Sequence, residues 1–355
     1  MKYWLAVFLF FVFSCQKNEA NLPPVVDQGN FIRGADLSVI PEIEQTGAPY
    51  FSADNQPGDC LSILKAAGCN TIRLRLWYSP ASNHSTLNEV AAFAQKIKSQ
   101  QLKVLLCIHY SDTWADPGQQ TPPAAWKDLG SQVLTDSVYN YTRRVVSLIQ
   151  PDYVQIGNEI NGGFLWETGR INNTNTFIDL LKSGIKAVRD QNANTKIMLH
   201  FAGTSGAVDF FTMLKNNTVD YDLSGLSYYP LWHGKNLDIV RTTMAEIYSL
   251  NQKPVMIAET AYPFTLEWND YTNNVLGLSS QTIPDYPASP AGQLSFMQAL
   301  VSRIKEAPGG AGFIYWGGEW IAYKGTTSTS GSPWENQALF DFTGKALPVI
   351  NIFKQ

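Results

Sequence analysis

Two glutamates each close an apolar run of this chain: Tyr153-Val-Gln-Ile-Gly-Asn-Glu159 and Pro254-Val-Met-Ile-Ala-Glu259. Continuous apolar runs of this length read as strands buried on both faces, the kind found in parallel sheets. Ending such a strand on a carboxylate is costly unless the charge is used, because burial strips its hydration. Two carboxylates brought to one cavity can cleave a glycosidic bond, one as acid and the other as nucleophile or base. Glu159 is the expected acid/base and must hold a proton near neutral pH, which desolvation or a nearby negative charge would favour. Glu259 is the expected nucleophile, kept ionised by donors such as Arg75 and Tyr229.

The ends of the other apolar runs repeat the pattern. They stop on Asp36, on Arg73 and Arg75, on His109, on Asn158 beside Glu159, on His200, on Tyr229 with His233 just behind, and on Trp316. Singly, each has an ordinary explanation, since most lone glutamates and arginines are solvated and a lone strand histidine is usually a hydrogen-bonded core residue. Together they require a scaffold whose strand ends converge.

The elements that supply such a scaffold are legible. Strands are expected at 31–37, 71–77, 103–109, 153–158, 196–201, 223–229, 254–259 and 312–316. Helical patterns fall between them at 59–67, 87–100, 131–148, 177–190, 237–250 and 291–306. The second of these puts Val90, Phe93, Ala94 and Ile97 on one face. Strands alternating with helices predict an α/β fold, and eight of them predict a single-domain (β/α)8 TIM barrel. An open doubly wound sheet is disfavoured because Arg33-Gly-Ala-Asp36 is not a Gly-x-Gly-x-x-Gly loop, which also argues against a dinucleotide-dependent oxidoreductase. The long polar segments at 110–130, 161–175, 230–236, 260–290 and 317–338 all follow strands, the side on which a barrel builds its site.

Composition narrows the partners. The net charge is −4 and no basic stripe stands out, so nucleic acid is not expected as a partner. No Cys-x-x-Cys or His-rich spacing points to zinc. Of the 10 tryptophans, Trp114, Trp166, Trp232, Trp268 and Trp334 lie in polar, Gly- or Pro-rich segments, where indoles are placed to stack on flat ligands such as sugar rings. Cys60, Cys69 and Cys107 leave at least one free thiol, and pairing of Cys60 with Cys69 stays open.

Residues 1–15 read as a lipoprotein-type signal peptide. Lys2 precedes an apolar stretch from Tyr3 to Phe13 that is too short to span a membrane, and Val12-Phe13-Ser14-Cys15 resembles a bacterial lipobox. A lipid on Cys15 is then the only expected membrane attachment, residues 16–30 are a flexible tether, and 31–355 form the catalytic domain. The expected location is an exported bacterial lipoprotein anchored in the outer membrane, at the cell surface or in the periplasm, with Gln16-Lys-Asn-Glu19 leaning towards surface display. A monomer is expected.

With these residues in place the chain resembles a known group. Asn-Glu ending the fourth strand and Glu ending the seventh is the pattern of clan A retaining glycoside hydrolases. Within the clan, the chain resembles the endo-β-1,4-galactanases of glycoside hydrolase family 53. The runs that carry the resemblance are Arg33-Gly-Ala-Asp36-Leu-Ser, Arg73-Leu-Arg75-Leu-Trp77, His109-Tyr-Ser-Asp112-Thr-Trp114-Ala-Asp116-Pro-Gly118, Val154-Gln-Ile-Gly-Asn-Glu159-Ile, Ser227-Tyr-Tyr-Pro-Leu-Trp-His233-Gly, Glu259-Thr-Ala-Tyr-Pro263 and Tyr315-Trp316.

The resemblance implies retaining endo-hydrolysis of β-1,4-galactosidic linkages in galactan or type I arabinogalactan, the side chains of pectin, by double displacement. It implies no required cofactor. The residues expected to contact substrate are Asp36, Arg75, His109, Asn158 (towards a sugar 2-hydroxyl), Trp166, His200, Tyr229, His233, Trp316 (as a platform) and Trp320. Two departures stand out. Many relatives read Tyr-Trp-Glu-Pro after the eighth strand, where this chain reads Tyr315-Trp316-Gly-Gly-Glu319-Trp320. Some bacterial members bind calcium after the seventh strand; here Glu267-Trp-Asn-Asp270-Tyr-Thr-Asn273-Asn274 has oxygen ligands without the dense alternation of acids, and no calcium is predicted. The alternatives are another clan A glycosidase (a mannanase, xylanase or β-galactosidase) or a surface glycan-binding lipoprotein without catalysis. The last would be expected to lack one of the two glutamates.

Overall fold

The computed structural model describes Met1 and residues 31–355; the expected leader, Cys15 and the tether at 16–30 lie outside the described residues. Eight parallel strands follow one another around a closed barrel: Ile32–Asp36, Thr71–Leu76, Lys103–Ile108, Tyr153–Ile156, Lys196–Ala202, Leu223–Ser227, Val255–Thr260 and Gly310–Tyr315. The first strand closes the ring by pairing with the second (Gly34 opposite Thr71) and the eighth (Ile32 opposite Gly312). The expected (β/α)8 barrel is therefore the fold. Among the described residues, no helix is long and apolar enough to cross a membrane.

The outer layer comes from helices whose apolar faces match the sequence. In Leu87–Ser99 the buried residues include Val90, Phe93, Ala94 and Ile97, and Thr86 caps the first turn by accepting the Glu89 backbone N–H. Burial of Val90, Phe93 and Ile97 contributes about 1.5–3 kcal/mol each relative to exposure. Helix Ala207–Asn216, between the fifth and sixth strands, escapes the sequence reading. Its buried Ala207, Phe210, Phe211 and Leu214 have helical spacing. At 10 residues, however, it is short, and it follows Gly203-Thr-Ser-Gly206, which reads as a plain loop. After the eighth strand, the 3-10 helix Pro348–Lys354 packs beside Pro290–Glu306, and Phe353 stacks on Phe313 with ring centres 5.8 Å apart.

The eighth strand also starts earlier than expected. It begins at Gly310 rather than at Gly312, and both glycines lie inside it. A Cβ on Gly310 would sit 1.8 Å from the Ile304 carbonyl oxygen, and one on Gly312 2.2 Å from that of Ile32. These glycines mark close backbone approach, not a turn.

Inside the barrel, side chains change character along the strands. At the floor Ile32, Leu105, Met198, Leu223, Met256, Ala258, Ala311 and Ile314 form a small apolar plug. Inward positions recur every second residue. Two steps from Leu105 come Cys107 and then His109; from Met198 comes His200; from Ile32 come Gly34 and Asp36; from Leu223 come Gly225 and Ser227. The apolar plug thus gives way to a polar layer at the C-terminal strand ends. Burying those groups is tolerable only because they bond one another. All three described cysteines are buried free thiols, so Cys60 and Cys69 do not pair.

Candidate active site

Glu259 reaches this layer through a break in the strand rhythm. Met256 and Ala258 point into the barrel, so simple alternation would turn Glu259 outwards. The register shifts instead: Leu226 faces Ile257, but the next residue, Ser227, faces Glu259. One extra residue on the seventh strand re-aims the glutamate into the barrel, a use of β-bulges common beside active sites.

Glu159 is set by a different device. It lies three residues past the fourth strand, with φ +47°, just after Gly157 at φ +73°. A non-glycine residue in the left-handed region is uncommon, and such strain collects at functional sites. The backbone turn swings Glu159 over the barrel mouth.

The two glutamates and a ring nitrogen of His200 have polar atoms within 4.8 Å of one another. Both glutamates line a cavity of about 730 Å³. Glu259 Oε1 accepts from Arg73 Nη2 at 2.8 Å, and Oε2 accepts from the Tyr229 hydroxyl at 3.1 Å. Arg73 also donates to Asp36 Oδ2 and to Asn158 Oδ1, each at 2.8 Å, and to Gln155 Oε1 at 3.2 Å. Glu159 Oε1 accepts the Ser227 hydroxyl at 2.5 Å.

This geometry separates the protonation states. Burial pushes Glu159 up to about 8, with the charge of Glu259 adding to it. Burial also raises Glu259, but the Arg73 guanidinium opposes that rise directly. The proton of the pair therefore belongs on Glu159 and the charge on Glu259. Metal chelation is a poor use of these groups: both oxygens of Glu259 are already held, one by a cation, and His200 Nε2 faces the Ser227 hydroxyl at 2.9 Å. Asp270, in the loop after the seventh strand, spends its oxygens on the backbone N–H groups of Thr272 and Ser332.

Of the expected substrate contacts, Asp36, Arg75, His109, Asn158, Tyr229, His233, Trp316 and Trp320 line the cavity. His109 Nδ1 accepts the Ala115 N–H at 3.1 Å, and burial with the Arg75 charge holds the ring neutral, so Nε2 carries a proton. His233 Nδ1 likewise accepts from Tyr229 N at 3.0 Å, with burial lowering the ring to about 4. Asn158 gives one amide hydrogen to the Ala115 carbonyl at 2.9 Å and keeps the other for a ligand.

Two expected contacts lie elsewhere. His200 is fully enclosed beneath Glu159. Trp166 is outside the cavity wall: its indole N–H donates to the Gly162 carbonyl at 3.0 Å, and Arg170 lies 4.0 Å over its ring. A third expectation is corrected in detail. Arg75 does not hold Glu259; it is sandwiched between Trp77 and Trp114, 4.4 and 4.0 Å from the ring centres, and bonds Ser85. Arg73 holds Glu259 instead.

Three of the loop tryptophans expected to stack on flat ligands reach the wall, and Arg73, which the sequence reading gave no substrate role, lines it too. Trp114, Trp232 and Trp334 join Trp316 and Trp320 around the cavity. Trp334 meets Trp316 edge-on at 4.8 Å. The departure at Gly317-Gly318 makes this possible: Gly317 has φ +67°, and a Cβ there would sit 2.6 Å from Trp334 Cδ1. Glu319 is buried away from the cavity, accepting from Val39 N at 3.1 Å. Burial, aided by the Asp36 charge, pushes it up to about 8.

A (β/α)8 barrel that presents two carboxylates at this spacing, one held by a cation and one poised to carry a proton, is the scaffold of a glycoside hydrolase. The chain matches the family model "Glycosyl hydrolase family 53" over residues 32–353 and belongs to that family. It is 38% identical to the arabinogalactan endo-beta-1,4-galactanase of Cellvibrio japonicus, covering 93% of this chain and 92% of that one. Among solved structures it resembles the GH53 catalytic domain of Ignisphaera aggregans, with TM-score 0.88 and 39% identity over 94% of this chain and 97% of the other. It also resembles a fungal beta-1,4-galactanase, with TM-score 0.80 and 30% identity over 91% and 99%.

Proposed function

We propose that this protein cleaves β-1,4-galactosidic linkages within galactan or type I arabinogalactan, with retention of anomeric configuration. The observation that carries the mechanism is the closeness of the two glutamates, with one carboxylate oxygen of each within 4.8 Å of the other. Retaining enzymes hold their carboxyl groups about 5–5.5 Å apart, whereas inverting ones need about 6.5–9.5 Å to admit water between them. The galactan substrate is carried by family membership and by what the relatives act on.

In the first step Glu259 attacks the anomeric carbon while Glu159 protonates the departing glycosidic oxygen. A galactosyl ester forms on Glu259 and the sugar–oxygen bond breaks. In the second step Glu159, now a carboxylate, takes a proton from water as the water oxygen displaces Glu259. Asn158 is placed to donate to the 2-hydroxyl, and Trp316 to lie against the sugar face.

Digestion of β-1,4-galactan, with mannan and xylan alongside, tests the reading. Short galacto-oligosaccharides from galactan alone, first seen as the β-anomer by proton NMR, are the expected result. Release from mannan or xylan instead would assign another clan A activity. Binding without release from any of them would leave a glycan-binding protein.

We further propose that the enzyme is an exported monomer, lipidated at Cys15 and anchored in the outer membrane. The support is the short apolar stretch before Cys15 and the polar run after it. Metabolic labelling with a palmitate analogue should mark the wild type and not Cys15→Ser; equal labelling of both would overturn the assignment.

A further inference from the structure

Only one oxygen of Glu159 is claimed by the described protein. Glu159 lines the cavity; its Oε1 receives the Ser227 hydroxyl, while no hydrogen bond from the described residues reaches Oε2. Behind Ser227 the chain of contacts continues inwards. Ser227 Oγ is 2.9 Å from His200 Nε2, and His200 Nδ1 is 3.1 Å from Gln155 Nε2 and 3.3 Å from Asn158 Oδ1. Gln155, His200 and Ser227 are all fully buried.

The direction of this chain can be worked out from the arginine. Arg73 can only donate, so the Gln155 atom it meets at 3.2 Å is the amide oxygen, and the nitrogen must face His200. Asn158 Oδ1 is an acceptor for the same reason, receiving Arg73 Nη2 at 2.8 Å and Gln155 Nε2 at 2.9 Å. Its two lone pairs are then filled, which leaves no good acceptor for a proton on His200 Nδ1. Gln155 Nε2 shares two hydrogens among three acceptors, the Gly157 carbonyl and Asn158 Oδ1 at 2.9 Å each and His200 Nδ1 at 3.1 Å; a proton on Nδ1 would face that donor, so the ring proton sits on Nε2. Burial and the Arg73 charge keep the ring neutral, with a single N–H. That N–H points at Ser227, whose one hydroxyl proton must go forward to Glu159.

We propose that Gln155, His200 and Ser227 form a one-way hydrogen-bond chain that reserves Oε1 of Glu159 as an acceptor and confines its transferable proton to Oε2, the oxygen that faces the glycosidic bond. The inference rests on the acid/base reading of Glu159. Ser227 and His200 are positioning residues in this scheme and touch no substrate. The chain serves both steps. In the first, the proton leaves from Oε2; in the second, the proton taken from water arrives there.

The test compares two leaving groups. β-1,4-Galactan releases an alcohol that needs protonation, and a dinitrophenyl β-galactobioside releases a phenolate that does not. General acid catalysis is worth about 10²–10⁴-fold, so Ser227→Ala should lose about 10–100-fold in kcat/KM on galactan. The loss on the dinitrophenyl substrate should stay within about threefold, because that step uses no general acid. The upper limb of the pH profile should also move to higher pH, since a donor to the carboxylate has gone. The charges facing Glu159 (Glu259, Arg73 and Asp116), with neutral Tyr229 and His200, are unchanged in this variant. His200→Gln, which can still donate to Ser227, should retain more galactan activity than His200→Leu; this pair stands in if Ser227→Ala fails to fold. Equal losses on both substrates, or an unmoved upper limb, would overturn the chain. Failure of the underlying reading looks different: Glu159→Ala itself would then impair both substrates alike.

Discussion

Arg73 and Glu259 meet at 2.8 Å across the barrel, from the second and seventh strands, with side-chain exposures of 2% and 8%. The same guanidinium is 2.8 Å from Asp36. One cation thus serves two buried carboxylates, and its removal leaves both uncompensated.

Arg73→Met should therefore be among the most damaging single changes. Breaking a buried pair by deleting one partner costs about 3–5 kcal/mol. Urea unfolding should show that loss, and the remaining folded protein should have kcat/KM on galactan reduced by at least about 10²-fold, because Glu259 loses the charge that keeps it ionised. A variant with near-native rate would remove Arg73 from the account.

The pH profile of kcat/KM should be a bell with an unusually high upper limb. Glu159 acts protonated in the first step, so activity falls as pH rises through its value, pushed up to about 8. Glu259 acts ionised, so activity falls as pH drops through its own value, which burial places above the ordinary carboxylate range. With an activated aryl galactobioside, Glu159→Gln should abolish the upper limb and leave the lower one. Persistence of the upper limb in that variant would assign it to another group.

Glu159→Ala and Glu259→Ala should each lower galactan hydrolysis by at least about 10²-fold while circular dichroism shows the wild-type fold retained. Near-full rate on galactan in Glu159→Ala would refute its role as acid/base.

Gly317→Ala should weaken both the fold and the cavity wall. The position has φ +67°, and the added methyl would meet the Trp334 indole at 2.6 Å. A residue forced into an incompatible backbone costs more than about 1 kcal/mol. Displacing Trp334 from Trp316 should raise KM for galactan more than it lowers kcat. Unchanged KM with lowered stability would confine Gly317 to a structural role.

Much of this site could be read before any coordinates, because a buried strand that ends on a charge is conspicuous. Glu159 and Glu259 announced themselves that way, and so did the alternation that closes eight strands into a barrel. What was hidden depends on height and angle inside the barrel. Alternation points Arg73 and Arg75 alike inwards, but only the three-dimensional stagger of the strands decides that Arg73 reaches Glu259 while Arg75 rises to the tryptophans. The bulge that re-aims Glu259 leaves no mark in Val-Met-Ile-Ala-Glu. His200 ends an apolar run like the others, yet Ser227 stands between it and Glu159. Trp166 sits in a polar loop as a platform would, but its N–H is turned to a local carbonyl.

The central claim is that Glu259 forms the covalent intermediate. Incubation with a 2-deoxy-2-fluoro-galactosyl fluoride, which slows breakdown of that intermediate, followed by peptide mass mapping, tests it most directly. The account predicts one added fluorogalactosyl group per chain, on the peptide that carries Glu259, and none in Glu259→Ala. Labelling on the peptide of Glu159, or turnover of galactan with the α-anomer first and no labelled peptide, would contradict it.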